Sequence, residues 1–309
     1  MFLQDKNEDE YGMTFDLLGT AIINGLLIGG VYSLSAMGLT IIFGVMGVGN
    51  FAHGTFLMAG MYMVYWLHFL FGIDPYIGII PAMALMFVWG WYIQKYLVNR
   101  IMDAPHYNGF LLTLGVMLFM QNVALFFWPD YRALLVSYQQ SAIPIGLGLQ
   151  VEVVRLLAFL CAIALALALH FFLKLTDIGK AIRATSQNKI GAQVVGVDVW
   201  KIYIITFAIG SACAGASGAV IAPYFPVSSD VGDVFILVAF VVVCMGGMGN
   251  YMGALIAGLI IGLAESIGSI FISGGQKELV TFVIFIGILL FRPQGLFRFG
   301  GYWQAQAVR

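Results

Sequence analysis

Hydrophobic residues come along this chain in long runs separated by short polar stretches. Runs approaching the roughly 20 residues needed to cross a bilayer lie at 15–43, 51–71, 76–97, 109–128, 153–173, 202–223, 234–248, 253–272 and 279–291. These nine runs predict an all-α, polytopic transmembrane helical bundle. Glycine-rich stretches near 44–54 and 244–253 read as breaks within helices as well as loops, which sets the range at eight to ten spans. The same pattern divides the chain into an acidic tail at 1–14, one transmembrane domain at 15–295 and a tail at 296–309.

Composition narrows the class. The 309 residues are 61% hydrophobic and 9% charged, with a mean hydropathy of +0.96. A soluble domain carries about 25% charged residues, so this chain has too few charges to cover a water-facing surface. A soluble enzyme, a nucleic-acid binder and a disordered chain are excluded. The net charge of -1 offers nothing to a polyanion. Cys161, Cys213 and Cys244 sit in apolar runs without paired spacing, which indicates neither a disulfide framework nor a metal site. The first 16 residues hold five acids and the single base Lys6. A secretory signal begins basic, so the first run is expected to stay as a span.

The bases give an orientation. With nine spans and the N-terminus outside, one side receives Lys95, Arg100, Lys174, Lys180, Arg183, Lys189, Lys201, Arg292, Arg298 and Arg309. The other receives Lys6, Arg132, Arg155 and Lys277. Positive residues favour the cytoplasmic side, so the C-terminus is expected there. The outer connection at 129–152, with Pro129 and Pro144, suits a folded cap. The inner connection at 176–200 reads TDIGKAIRATSQNKIGAQVVGVDVW. Asp177 is placed to cap a helix starting near Gly179. Ala181, Ala184, Asn188, Ala192 and Val195 then share one face, and Lys180, Arg183 and Gln187 another. This is a short amphipathic helix, suited to a partner or to lipid headgroups.

A faint internal echo accompanies this plan: Gly47-Val48-Gly49-Asn50-Phe51 matches Gly247-Met248-Gly249-Asn250-Tyr251. Transporters are often built from repeats, so a two-fold internal repeat is a candidate. Small residues recur four apart at Gly25 and Gly29, at Gly210, Ala214 and Gly218, and at Gly258 and Gly262. That spacing predicts close helix packing.

Few residues can carry chemistry within the spans. Glu265 is the carboxylate placed well inside a run; at mid-membrane such a charge costs about 2.5–3.5 kcal/mol, so it should face a cavity or a polar partner. A functional and a structural role both fit it. Asn50 and His53 sit among glycines that let a helix break and free backbone groups, and such a pair can line a substrate path. A lone intramembrane histidine equally serves as a hydrogen bond between helices. Gln121 and Asn122, in the fourth run, carry the same two readings. Gly215-Ala216-Ser217-Gly218 has the GxSG form of intramembrane serine proteases, but all four histidines precede Ser217, the reverse of that family's order. No phosphate-binding GxxxxGK[ST] loop occurs.

Taken together, these motifs resemble the membrane permeases of branched-chain amino-acid ABC importers, specifically the first of their two related permease subunits. The resemblance is carried by Gly38-Leu39-Thr40, Asn50-Phe51-Ala52-His53-Gly54, the loop pattern Gly179, Arg183, Ala184, Asn188 and Gly196, then Gly246-Gly247-Met248-Gly249, Gly253-Ala254 and Gly262-Leu263-Ala264-Glu265. It extends over about 17–295. It implies a heterodimer with a second, related permease, two ATPase subunits on the cytoplasmic face and a periplasmic substrate-binding protein, in a bacterial inner membrane. It implies no cofactor in this chain, ATP being bound by the partner subunits. Gly179, Lys180, Arg183, Ala184, Asn188 and Gly196 would form the coupling helix that sits on the ATPase. Asn50, His53, Gln121, Asn122 and Glu265 would line the substrate path, with Gly49, Gly54, Gly246, Gly247 and Gly249 as structural glycines. The acidic stretch 5–10 departs from the family's habit. Relatives also import urea, short amides or aromatic acids. The rival from another class is an ion-coupled transporter or channel acting alone, which needs ionisable residues through its spans; Glu265 and a few histidines are all this chain offers.

Overall fold

The structure, a computed structural model, describes residues 2–102, 105–136, 138, 139, 141–146, 149–272, 278–292 and 294–297, with only the backbone of 2–16, 106, 145, 149 and 278. The sequence-predicted Lys277 and most of the 296–309 tail lie outside these residues.

Each of the nine apolar runs folds as a helix: α1 (Phe2–Met46), α2 (His53–Phe71), α3 (Ile79–Tyr96), α4 (His106–Phe127), α5 (Val153–Leu175), and then, beyond the short α6 (Asp177–Gln187) and α7 (Lys189–Val194), α8 (Val199–Ile221), α9 (Val231–Gly246), α10 (Tyr251–Phe271) and α11 (Glu278–Phe291). Six are long and apolar enough to cross a membrane by themselves: Leu17–Met46 in α1, α2, Tyr107–Phe127 in α4, α5, α8 and α10. The other three runs make shorter or more polar helices. α9 and α11 have 16 and 14 residues, and α3 ends in Gln94-Lys95-Tyr96. The helix of α1 starts at Phe2, so the acidic stretch continues its axis.

The bundle centres on α1 and α8, whose apolar windows are 83% buried, against 17% for α4. Small residues bring the central helices together. α1 runs antiparallel to α10: a Cβ at Gly25 would stand 2.8 Å from the Gly262 carbonyl oxygen, and one at Gly29 would stand 2.8 Å from Leu259 Cα. Gly210 of α8 meets Gly38 and Ile42 of α1. The four-apart glycines are packing residues, as their spacing predicts. α4 and α11 turn apolar side chains such as Phe119, Phe126, Val283 and Leu290 outward.

The chain does not simply reverse after α1. His53 Nε2 lies 2.9 Å from the Ser35 carbonyl oxygen, and Ser35 is about three turns before the end of α1. The 47–52 segment therefore climbs back beside α1, and α2 starts deep in the bundle. Its backbone stays inside protein, as irregular backbone at membrane depth must: Phe51 N–H donates to Thr113 Oγ1 at 3.3 Å, and the Phe51 ring lies against Phe110 and Phe240. α9 also starts at depth, with Gly232 backbone-to-backbone against Gly54. On the side opposite α6 and α7, β1 (Ala142–Gly146) and β2 (Leu149–Glu152) form an antiparallel hairpin pairing Ala142 with Glu152 and Ile143 with Val151. The connection at 129–152 is thus a folded cap, joined to the segment before α9 by a bridge between Arg132 and Val227.

The second half of the sequence echo lies against the end of α1, just before the first half. A Cβ at Gly44, just before the first break, would stand 2.6 Å from Gly249 Cα in the second. Gly47, Gly247 and Gly249 all adopt positive φ, at 68°, 90° and 84°, where other residues are strained.

Candidate functional site

Four polar caps define one end of the bundle. Thr176 accepts from Gly179 N–H at 3.0 Å and starts α6; Asn188 accepts from Gly191 N–H at 2.9 Å and starts α7. Asp198 starts α8 and Asn250 starts α10 in the same way. The sequence reading needs two corrections here. The cap of α6 is Thr176, and Asp177 stands in the first turn, paired with Lys180 at 2.9 Å; that ammonium holds the Asp177 carboxyl below its usual range. The single amphipathic helix is in fact two, because Asn188 is extended (φ -153°) and interrupts the face drawn through it. The buried positions are Gly179, Ile182 and Thr185 in α6 and Ala192 in α7.

The α6–α7 unit is held firmly from within and left open outward. α6 folds back on the end of α5, so close that a Cβ at Gly179 would stand 2.5 Å from both the Leu173 and Phe172 carbonyl oxygens. Arg183 Nη2 reaches the Lys174 carbonyl oxygen at 3.4 Å. Lys189 Nζ stands over the rings of Trp200 and Tyr203 at 5.9 and 5.5 Å, and Gly196 ends the unit at φ 86°. The outward side carries Ile178, Ile190, Val194 and Val195, all exposed, beside Lys180. Ala184 is half-buried.

The proposed path residues separate. Asn50 is 1% exposed, and neither its Oδ1 nor its Nδ2 has a partner. His53 is wholly buried, bonded by Nε2 to Ser35 with Nδ1 unpartnered. This pair is buried among the helix contacts. Of the glycines named with it, Gly49 leaves room for Phe110, Gly54 for Gly232, and Gly246 for Gly253 and Ala254. Gln121 donates to Asp233 Oδ1, whereas Asn122 is exposed and turns to the Leu118 carbonyl oxygen of its own helix. Glu265 lies on the buried face of α10 together with Gly258, Ile261 and Gly262. Ser217 donates to the Cys213 carbonyl oxygen at 2.9 Å, an ordinary bond within its helix.

A groove lies between α9 and α11. Its volume is about 120 Å³, its walls are Val234, Leu237, Val238, Val241, Thr281 and Phe282, and Asp233 stands at its end.

A family model described as "Branched-chain amino acid transport system / permease component" matches residues 21–291. The chain belongs to this permease family. It is 26% identical over 288 residues to the high-affinity branched-chain amino acid transport system permease protein LivH of Escherichia coli (strain K12), covering 89% of this chain and 94% of that one. The corresponding permease BraD of Pseudomonas aeruginosa is 26% identical over 296 residues, with the same coverage. A probable branched-chain amino acid permease of Methanocaldococcus jannaschii is 27% identical over 304 residues, covering 93% of each chain. No solved structure matches. Together with the six long apolar helices, the match makes the chain a multi-pass membrane permease component.

Two features of the permease escaped the sequence reading. Asp233 lies one residue before the 234–248 run and so outside every predicted span, although an acid in a first helical turn is a recognisable signal. Arg132 reads in the sequence only as a base of the 129–152 connection. It lies over Tyr65 and Trp66 at 5.7 and 5.6 Å, next to the stacked rings of Tyr62 and Trp128. The Tyr62 hydroxyl, Trp66 Nε1 and Arg132 Nε are all buried without a partner.

Proposed function

We propose that this chain is the permease subunit of an ABC importer that moves branched-chain or related amino acids across the bacterial inner membrane. It has no ATP site of its own in this reading. Partner ATPases supply the energy, a second, related permease completes the channel, and a periplasmic binding protein delivers the substrate. The C-terminus and the α6–α7 unit face the cytoplasm, where the bases concentrate.

The observation that carries the reading is the α6–α7 unit. Exposed Ile178, Ile190, Val194 and Val195 stand on a polar connection whose inner side is locked to α5 and α8. Such an apolar patch on a rigid mount suits insertion into a cleft of another protein. The ATPases close on ATP, the unit moves with them, and the helices it grips pass the motion to the substrate cavity. The family match and the branched-chain amino acid transport named for the relatives support the substrate class.

The test is ATP-driven uptake of radiolabelled leucine by the full complex in proteoliposomes. Arg183→Glu should abolish uptake while the protein still reaches the membrane in normal amount; normal uptake would remove α6 from coupling. Uptake by vesicles holding this chain alone would instead favour an ion-coupled transporter.

A further inference from the structure

We infer that the groove between α9 and α11 is this chain's half of the substrate site, with Asp233 receiving the ammonium of an aliphatic amino acid. The inference rests on the importer reading above. Three observations combine in it. First, Asp233 is a carboxylate on an apolar helix, and among the described residues no base lies within ion-pair distance of it. Its Oδ1 is fixed by the Gln121 side chain, which aims the carboxylate and leaves Oδ2 for a cation. Gln121 is about 9 Å below the end of α4, so the pair lies within the span.

Second, the Thr281 hydroxyl is buried without a partner, at 3% exposure, in the wall formed by α11. A buried hydroxyl left unpaired is costly, and a carboxylate arriving in the groove would accept from it. Third, the rest of the wall is aliphatic or aromatic, and the volume of about 120 Å³ is close to the roughly 150 Å³ of an apolar cavity that accepts benzene. An anion, a hydroxyl donor and an apolar slot together match the ammonium, the carboxylate and the side chain of an amino acid such as leucine or valine. The groove opens at Leu237 and Phe282, both exposed, so the second permease would close it. A lipid chain would use the slot but would have no need of Asp233 or Thr281.

The experiment measures ATP-driven uptake of radiolabelled leucine and valine by the complete complex in proteoliposomes, normalised to protein assembled. Asp233→Asn should reduce uptake of both by about thirtyfold, the loss expected when one partner of a partly buried charge pair goes, and Asp233→Glu should restore part of it. Leu237→Trp, which narrows the slot, should lower leucine uptake more than valine uptake. Near-normal uptake in Asp233→Asn, or an equal loss of both substrates in Leu237→Trp, would overturn the assignment. A wild-type complex that takes up neither amino acid on ATP would overturn the importer reading itself, before any variant is compared.

Discussion

Gly179→Ala puts the α5–α6 corner to a sharp test, because two effects of known size oppose each other there. An added Cβ would stand 2.5 Å from two carbonyl oxygens and 2.6 Å from Leu173 Cα, where ordinary contact begins at 3.4 Å. α6 would have to withdraw by about 0.9 Å. Overpacking costs about 1–3 kcal/mol, and the upper end applies because all three neighbours are backbone and cannot rotate aside. Alanine in a helix returns about 1 kcal/mol over glycine. The balance of about 2 kcal/mol shifts the equilibrium of α6 toward the undocked state by roughly thirtyfold. Amide hydrogen exchange over 177–187, measured on the assembled complex in lipid nanodiscs, should quicken by about that factor, and leucine uptake should fall. Gly115→Ala, with nothing within 4 Å of the new Cβ, is the control and should change neither. If Gly179→Ala instead slows exchange in α6, helix propensity alone governs the corner and the close approach argued above is wrong.

Other expectations follow from single residues. Asn50→Leu removes two buried atoms without partners, each costing about 1–3 kcal/mol; it should raise the melting temperature and lower uptake, and unchanged uptake would take Asn50 out of the substrate path. Glu265→Gln keeps hydrogen bonding and should be tolerated better than Glu265→Leu, which costs about 1–3 kcal/mol; equal loss of uptake in the two would show a need for charge. The Tyr138 phenol donates to Asp74 Oδ2 at 2.8 Å, and burial, then that carboxylate, push its pKa up. A raised phenol stabilises the fold fully below its unfolded value of about 10 and loses that contribution as pH climbs through the folded value. The melting difference between wild type and Tyr138→Phe should therefore be constant below about pH 9 and shrink above it; a difference that varies between about pH 5 and 8 would contradict this.

Run length and glycine placement made the helices legible, since crossing a bilayer demands a long apolar stretch whatever its neighbours are. Interruptions that depend on side-chain caps were less legible. In the sequence Asn188 falls on a helical face, although an asparagine with Gly191 three residues on is a cap signal, and Asp177 masks the adjacent cap Thr176. Depth could not be read at all. Nothing in the 47–52 stretch announces that His53 ends beside Ser35, because that depends on rings from α4 and α9 arriving around Phe51. The same holds for Gln121: the amide was visible, but its meaning comes from Asp233, 112 residues away.

The contact between Gly44 and Gly249 bears on how a push travels through this molecule. Two side chains in contact can yield by changing rotamer, so part of any displacement dissipates between them. Two bare backbones have nothing to yield, and they behave as a bearing that pivots without compressing. α6 touches α1, and the same end of α1 carries Gly44 against the loop from which α10 starts. If α6 is the element that partner subunits push, as proposed, α1 would carry that push to the second break, and a single methyl added at Gly44 would meet Gly249 backbone at 2.6 Å and obstruct it.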